Sequence, residues 1–304
     1  MADTPWKDLV DCDVQDKERL DRFRAKLREW KRCLNDENDP HSIQKQFETL
    51  IWEDAIYRTF YEACGLLENT KDTSIGLPTT FTELLRNGFF TRQLMAVRRL
   101  IEPLVYNPKK AVYSLRSLLD DIGENQQLFS RENYVCYDGL TYEQVSGENP
   151  RIEYCKNWRH SKYNILSGKT EGQRCDPIKE GFFAGIKSHF GTFSALEMYV
   201  NNFVAHASHP NNRPSPSQIE DQITLEYLDK CYRELFYIAK GIGLLLDDNC
   251  LCNVSVPNFD QLENWDKPIV TFEGKKNLYE YWGNRSEEID EWSKEATDHY
   301  RSVE

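Results

Sequence analysis

The sequence predicts an all-α protein: a helical bundle interrupted by an irregular insertion and followed by a small C-terminal extension. Three observations carry this. Apolar residues recur every three or four positions through most of the 304-residue chain, the period of a helix with one buried face. Prolines and glycines fall between those stretches, at Pro40, Pro78, Pro103 and Gly123, where they end or start helices. Strand-like content is confined to two short runs, 134–145 and 268–272.

Residues 16–34 form a charged helix whose apolar positions Leu20, Phe23, Leu27 and Trp30 share one side. Pro40 opens a longer helix with Ile43, Phe47, Leu50, Ile51 and Phe60 on its apolar side. After a break at 75–78, Pro78 starts the next helix, where a missing N–H costs nothing. That helix carries Phe81, Leu84, Leu85, Phe89, Leu94, Val97 and Ile101 as far as Glu102-Pro103. A shorter helix runs from Ala111 to Ile122 and stops at Gly123. Over 134–176 the periodicity fades among glycines, aromatics and basic residues, which predicts an irregular insertion, with a hairpin possible at its start. Helical pattern resumes at Pro177 and runs through Phe190, Phe193, Leu196, Val200 and Phe203. A polar loop follows at 209–218, and the helix from Ser217 carries Ile219, Ile223, Leu225, Leu228, Leu235, Ile238 and Leu245. Residues 1–133 and 177–249 thus form the bundle, 134–176 the insertion and 250–304 an acidic extension.

Composition excludes several function classes. A formal charge of −12 argues against coating nucleic acid through bulk electrostatics. Basic residues nevertheless concentrate in the middle, from Arg86 to Arg116 and from Arg151 to Lys187, as either solvated helix faces or a local phosphate-binding patch. No run approaches the roughly 18 apolar residues of a membrane helix, and residues 1–8 lack a signal-peptide pattern. The expectation is a soluble, cytoplasmic protein with no membrane partner. Nine cysteines, an odd number spread thinly, predict thiols rather than a disulfide framework. Cys250-Leu251-Cys252 is the one close pair, short of the four ligands of structural zinc. No metal and no cofactor are expected. There is no phosphate loop, no GxSxG elbow and no GxGxxG.

The chemistry-bearing stretch is 199–210, where an apolar helical run ends in Asn201, Asn202, His206 and His209 before Pro210. On an ideal helix Asn202, His206 and His209 share a stripe, since offsets of four and seven return to one face. An imidazole there can take and return a proton near neutral pH. The plainer alternative is that both histidines cap helix-end carbonyls. Metal ligation from this face lacks a third ligand and any HExxH arrangement.

The segment 98–103 (RRLIEP), followed by 112–121 (VYSLRSLLDD), and Asn201-Asn202-Phe203-Val204-Ala205-His206-Ala207 together resemble all-helical HEPN domains of the abortive-infection type. The resemblance implies a bundle that pairs as a homodimer and, in active members, cuts RNA without metal. His206 carries over as the acid/base residue and Asn201 as the polar position; beside them Asn202, as a second polar support, and His209 complete the catalytic candidates. The family's arginine is absent, since none of Tyr199, Val200 and Asn201 is Arg. An Asn amide brings no charge, forfeiting a charge-assisted bond of about 1.5–3 kcal/mol. The arginine must then be borrowed, with Arg98, Arg99 and Arg213 as substrate-binding candidates. The leading expectation is a metal-independent endoribonuclease of a defence or toxin system. The alternative is a catalytically silent HEPN-type dimerisation, sensor or antitoxin-like scaffold with a protein partner.

Overall fold

A computed structural model of the chain describes residues 6–8, 12–68, 77–105, 112–142, 150–170, 172–205, 211 and 223–248, with 262–263, 277–281, 283–284 and 287 toward the C-terminus. The chain divides into two compact units, Met1–Val256 and Pro257–Glu304, a few residues beyond the expected boundary at 249/250. Among the described residues every regular element is helical, as the sequence predicts. None of these helices is long and apolar enough to cross a membrane.

Helix α1 spans Lys17–Leu34. Asp16 caps it by accepting the Arg19 N–H at 2.9 Å, satisfying one of the orphan donors of a first turn. Its stripe Leu20, Phe23, Leu27, Trp30 and Leu34 is fully buried. Phe129 packs edge-on against Phe23 and flat against Trp30. Helices α2 (Ile43–Glu68) and α3 (Thr79–Leu100) pack together, with the rings of Tyr57 and Phe89 stacked 3.7 Å apart. Pro78 stands just before α3 and its carbonyl accepts the Phe81 and Thr82 N–H groups.

Helix α4, Leu115–Glu124, starts in a reciprocal capping box between Ser114 and Ser117. It continues through Gly123 to Glu124, two residues further than expected, and closes on Asn125. The last bundle helix, here α9, covers Leu225–Leu246 and supplies much of the core through Leu228, Leu235, Ile238, Ile242 and Leu245. Its Tyr232 hydroxyl reaches Gln93 on α3 at 2.9 Å and Asp54 on α2 at 3.2 Å, so one buried polar knot ties three helices.

The segment 134–176 departs from expectation. Arg131–Cys136 is a short helix, α5, not a hairpin strand, and Pro150–Ser167 is an 18-residue helix, α6. The buried face of α6 explains why apolar periodicity fades there. Alongside Tyr163 and Leu166 it buries Lys156, Arg159 and Lys162. Lys156 Nζ donates to the Val135 carbonyl at 2.7 Å. Arg159 Nε reaches Asp247 at 2.9 Å, and Lys162 Nζ reaches the same carboxylate at 2.6 Å. Asp138 pairs with both Lys156 and Arg159. These cations are neither a solvated face nor a phosphate patch; they are internal ion pairs.

The run from Pro177 also differs from one continuous helix. It breaks into α7 (Phe182–Ser188), a 3₁₀ segment (His189–Phe193), α8 (Ser194–Tyr199) and a π-turn at Val200–Val204. Residues 268–272 lie outside the described residues.

Candidate functional site

The π-turn decides the local geometry. The Ala205 N–H donates to the Val200 carbonyl at 2.8 Å, an i→i+5 bond that admits one extra residue per turn. The stripe of Asn202, His206 and His209 presupposes an ideal α-helix, and that premise fails over 200–204. Asn202 turns back on its own helix, its Nδ2 donating to the Met198 carbonyl at 2.8 Å. Asn201, by contrast, lines a groove. His206, His209 and Arg213 lie outside the described residues.

The groove has a volume of about 530 Å³, in the range of sites that hold a small organic ligand, about 300–1,000 Å³. Asn201 comes from the π-turn and Ala205 from its end, Arg98 and Arg99 from the last turn of α3 with Glu102 just beyond it, Asp39 and His41 from the turn before α2 and Gln46 from its first turn, and Val112 and Tyr113 from the approach to α4. Two of the three borrowed-arginine candidates therefore share one concavity with Asn201.

The two arginines are not equivalent. Arg98 ion-pairs with Glu102 one turn on, so much of its charge is spent. Arg99 is exposed and, among the described residues, pairs with no carboxylate. Among the described residues that line the groove, it is the cation open to an incoming anion. Two other basic residues of the first stretch are engaged elsewhere, Arg92 with Glu53 and Arg116 with Glu197; Lys109 and Lys110 lie outside the described residues. In the second stretch Lys169 pairs with Asp176, Arg174 with Asp13 and Glu132, and Lys187 with Asp120.

The walls are held by a few hydrogen bonds. Ser114 Oγ, the cap of α4, donates to the Glu102 carbonyl at the end of α3. Gln46 Nε2 donates to the His41 carbonyl at 2.7 Å and to the Tyr113 carbonyl at 2.9 Å. The His41 N–H donates to Asp39 Oδ1 at 2.8 Å, a local turn that fixes the backbone beneath the imidazole. His41 is a lining residue that no sequence motif announces; a histidine just after Pro40 reads as an ordinary helix start. Tyr113 is 38% exposed and offers a ring face at the rim.

Compared with protein-family models, curated proteins and solved structures, the chain matches none. The groove's polar groups include the Arg99 guanidinium, the Asn201 and Gln46 amides, the His41 imidazole and the Tyr113 rim, beside the Asp39 carboxylate and the Arg98–Glu102 pair. That set can hold a phosphodiester, stack a base and exchange a proton.

Proposed function

We propose that the protein is a metal-independent endoribonuclease of HEPN-like construction, acting in a defence or toxin system and cutting RNA in the groove beside Asn201. Arg99 carries this reading: a guanidinium named from a sequence position a hundred residues away lines the same groove as the motif's polar residue. In this account His206 takes the proton of the attacking 2′-hydroxyl. Arg99 supplies the positive charge that the motif lacks, aimed at the oxygen on which charge grows in the transition state. Asn201 donates to a second phosphate oxygen, and Tyr113 provides a stacking face for a flanking base. The RNA enters as a single strand, whose unstacked bases such a rim can hold.

The test is cleavage of a mixed single-stranded RNA in excess chelator by the full chain and by His206→Ala. The reading expects cleavage to 2′,3′-cyclic phosphate ends by the wild type and none by the variant. Equal cleavage by both removes His206 from the mechanism.

A second reading has its own observation. Glu102 and Asp39 bring carboxylates into the groove, and Glu102 already holds Arg98. A groove so partly neutralised also suits a catalytically silent scaffold that pairs as a homodimer or holds an antitoxin-like protein. Absence of any cleavage, together with a dimer in sedimentation, selects that reading.

A further inference from the structure

We propose that Cys12, Asp13 and Cys136 form a binding site for a thiophilic divalent cation of the zinc class, remote in function from the groove. The two sulfurs and a carboxylate oxygen of Asp13 all lie within 4.8 Å of one another. Metal–ligand bonds of about 2.0–2.3 Å in a tetrahedral site set ligand atoms about 3.3–3.8 Å apart. Closing the three donors onto an ion therefore asks for a shift of about an ångström, within the reach of side-chain rotation.

The surroundings suit a coordinating set. Cys136, at the end of α5, is fully buried, and Cys12 is 4% exposed. Asp13 is held from behind, as ligating carboxylates commonly are. Its Oδ1 accepts the Tyr142 N–H at 2.8 Å and its Oδ2 accepts from Arg174 Nη2 at 2.8 Å. Arg174 is itself anchored by Glu132 at 3.0 Å. Asp13 is exposed, which gives an ion a way in and leaves a water the fourth position.

Charge points the same way. Two thiolates and a carboxylate around a dication leave one negative charge, facing the Arg174 guanidinium. Lys156 stands behind, its Nζ 3.5 Å from the Leu140 carbonyl that also accepts from Cys12 Sγ at 3.6 Å. On binding, each thiol releases its proton to solvent and both sulfurs bond the ion; nothing is oxidised or reduced. The ion would pin residues 12–14, which belong to no helix, onto the end of α5.

Cobalt(II) is the probe, added to the reduced full-length chain and read by thiolate-to-cobalt charge-transfer absorption. One cobalt per chain with a two-thiolate band is expected, bleached by zinc and lost in Cys12→Ser and Cys136→Ser. Cys155→Ser and the double variant Cys250→Ser/Cys252→Ser should keep it. Asp13→Asn should weaken cobalt binding by about tenfold or more. Should the buried-cysteine variants fail to fold, the wild type still decides, because zinc must raise its thermal midpoint and bleach the band. No thiolate band in the wild type, or a band that vanishes only with Cys250 and Cys252, overturns the proposal.

Discussion

The Asp247 carboxylate accepts a hydrogen bond from Arg159 Nε at 2.9 Å, joining the end of α9 to the middle of α6. Asp247 also takes Lys162 Nζ and the Tyr137 hydroxyl. It does so from the left-handed region, at φ 51°, where a side chain is uncommon and Asn or Asp is best tolerated. Asp247→Asn keeps the backbone preference and removes the charge. Lys162 then loses the carboxylate it pairs with while Arg159 keeps Asp138, a loss of about 3–5 kcal/mol. Asp247→Ala adds about 1–2 kcal/mol of backbone strain. Urea unfolding of the two variants should rank them in that order, both below wild type.

The same carboxylate predicts how stability follows pH. Burial pushes its pKa up, but Arg159 and Lys162 outweigh that, and the net value lies below the ordinary 3.8. A group depressed on folding contributes stability above its unfolded value, and that contribution is lost as pH falls through the folded one. Urea midpoints of wild type and Asp247→Asn should therefore differ most near neutral pH. The gap should narrow once pH drops below the ordinary carboxylate value. A gap constant to the acid limit would mean that Asp247 acts through shape and not charge.

Gly139 follows Asp138 at φ 83°, and a Cβ there would sit 2.5 Å from the Lys7 carbonyl oxygen. Lys7 N–H also donates to the Asp138 carbonyl at 2.8 Å, so the two backbones touch. Gly139→Ala should cost at least about 1–2 kcal/mol from the left-handed conformation alone. It should also detach the 6–8 segment, which limited proteolysis would register as faster cutting ahead of α1.

Ser114 serves two elements, as the cap of α4 and as donor to the Glu102 carbonyl. Ser114→Ala should destabilise by about 1 kcal/mol for the cap and by more than Ser117→Ala. If the α3–α4 junction shapes the groove, Ser114→Ala should also raise KM for RNA, whereas Ser117→Ala should leave KM closer to wild type.

The all-α class and helices α1 to α4 could be read from sequence because their buried faces are apolar, as Leu20, Phe23, Leu27 and Trp30 show. Helix α6 could not, because its buried face carries Lys156, Arg159 and Lys162, whose partners Asp138 and Asp247 lie outside the helix, before and after it in the chain. A period of apolar residues cannot report a face made of ion pairs. The π-turn at 200–204 escaped for another reason: composition does not encode one inserted residue, so the stripe of an ideal helix could not say that Asn201 lines the groove while Asn202 bonds back to Met198. Arg98 and Arg99 could be named as candidates, but only packing separates them, through the Glu102 carboxylate. His41 had no neighbouring motif to single it out.

The groove reading turns on Arg99, and one measurement addresses it directly: initial rates of single-stranded RNA cleavage in chelator by wild type, Arg98→Ala and Arg99→Ala. Removing a group that stabilises the transition-state charge typically costs about 10²–10³-fold in kcat. The account predicts a loss of that size for Arg99→Ala and a clearly smaller one for Arg98→Ala, whose charge is shared with Glu102. Cleavage by Arg99→Ala at the wild-type rate, or no cleavage by the wild type, would contradict it.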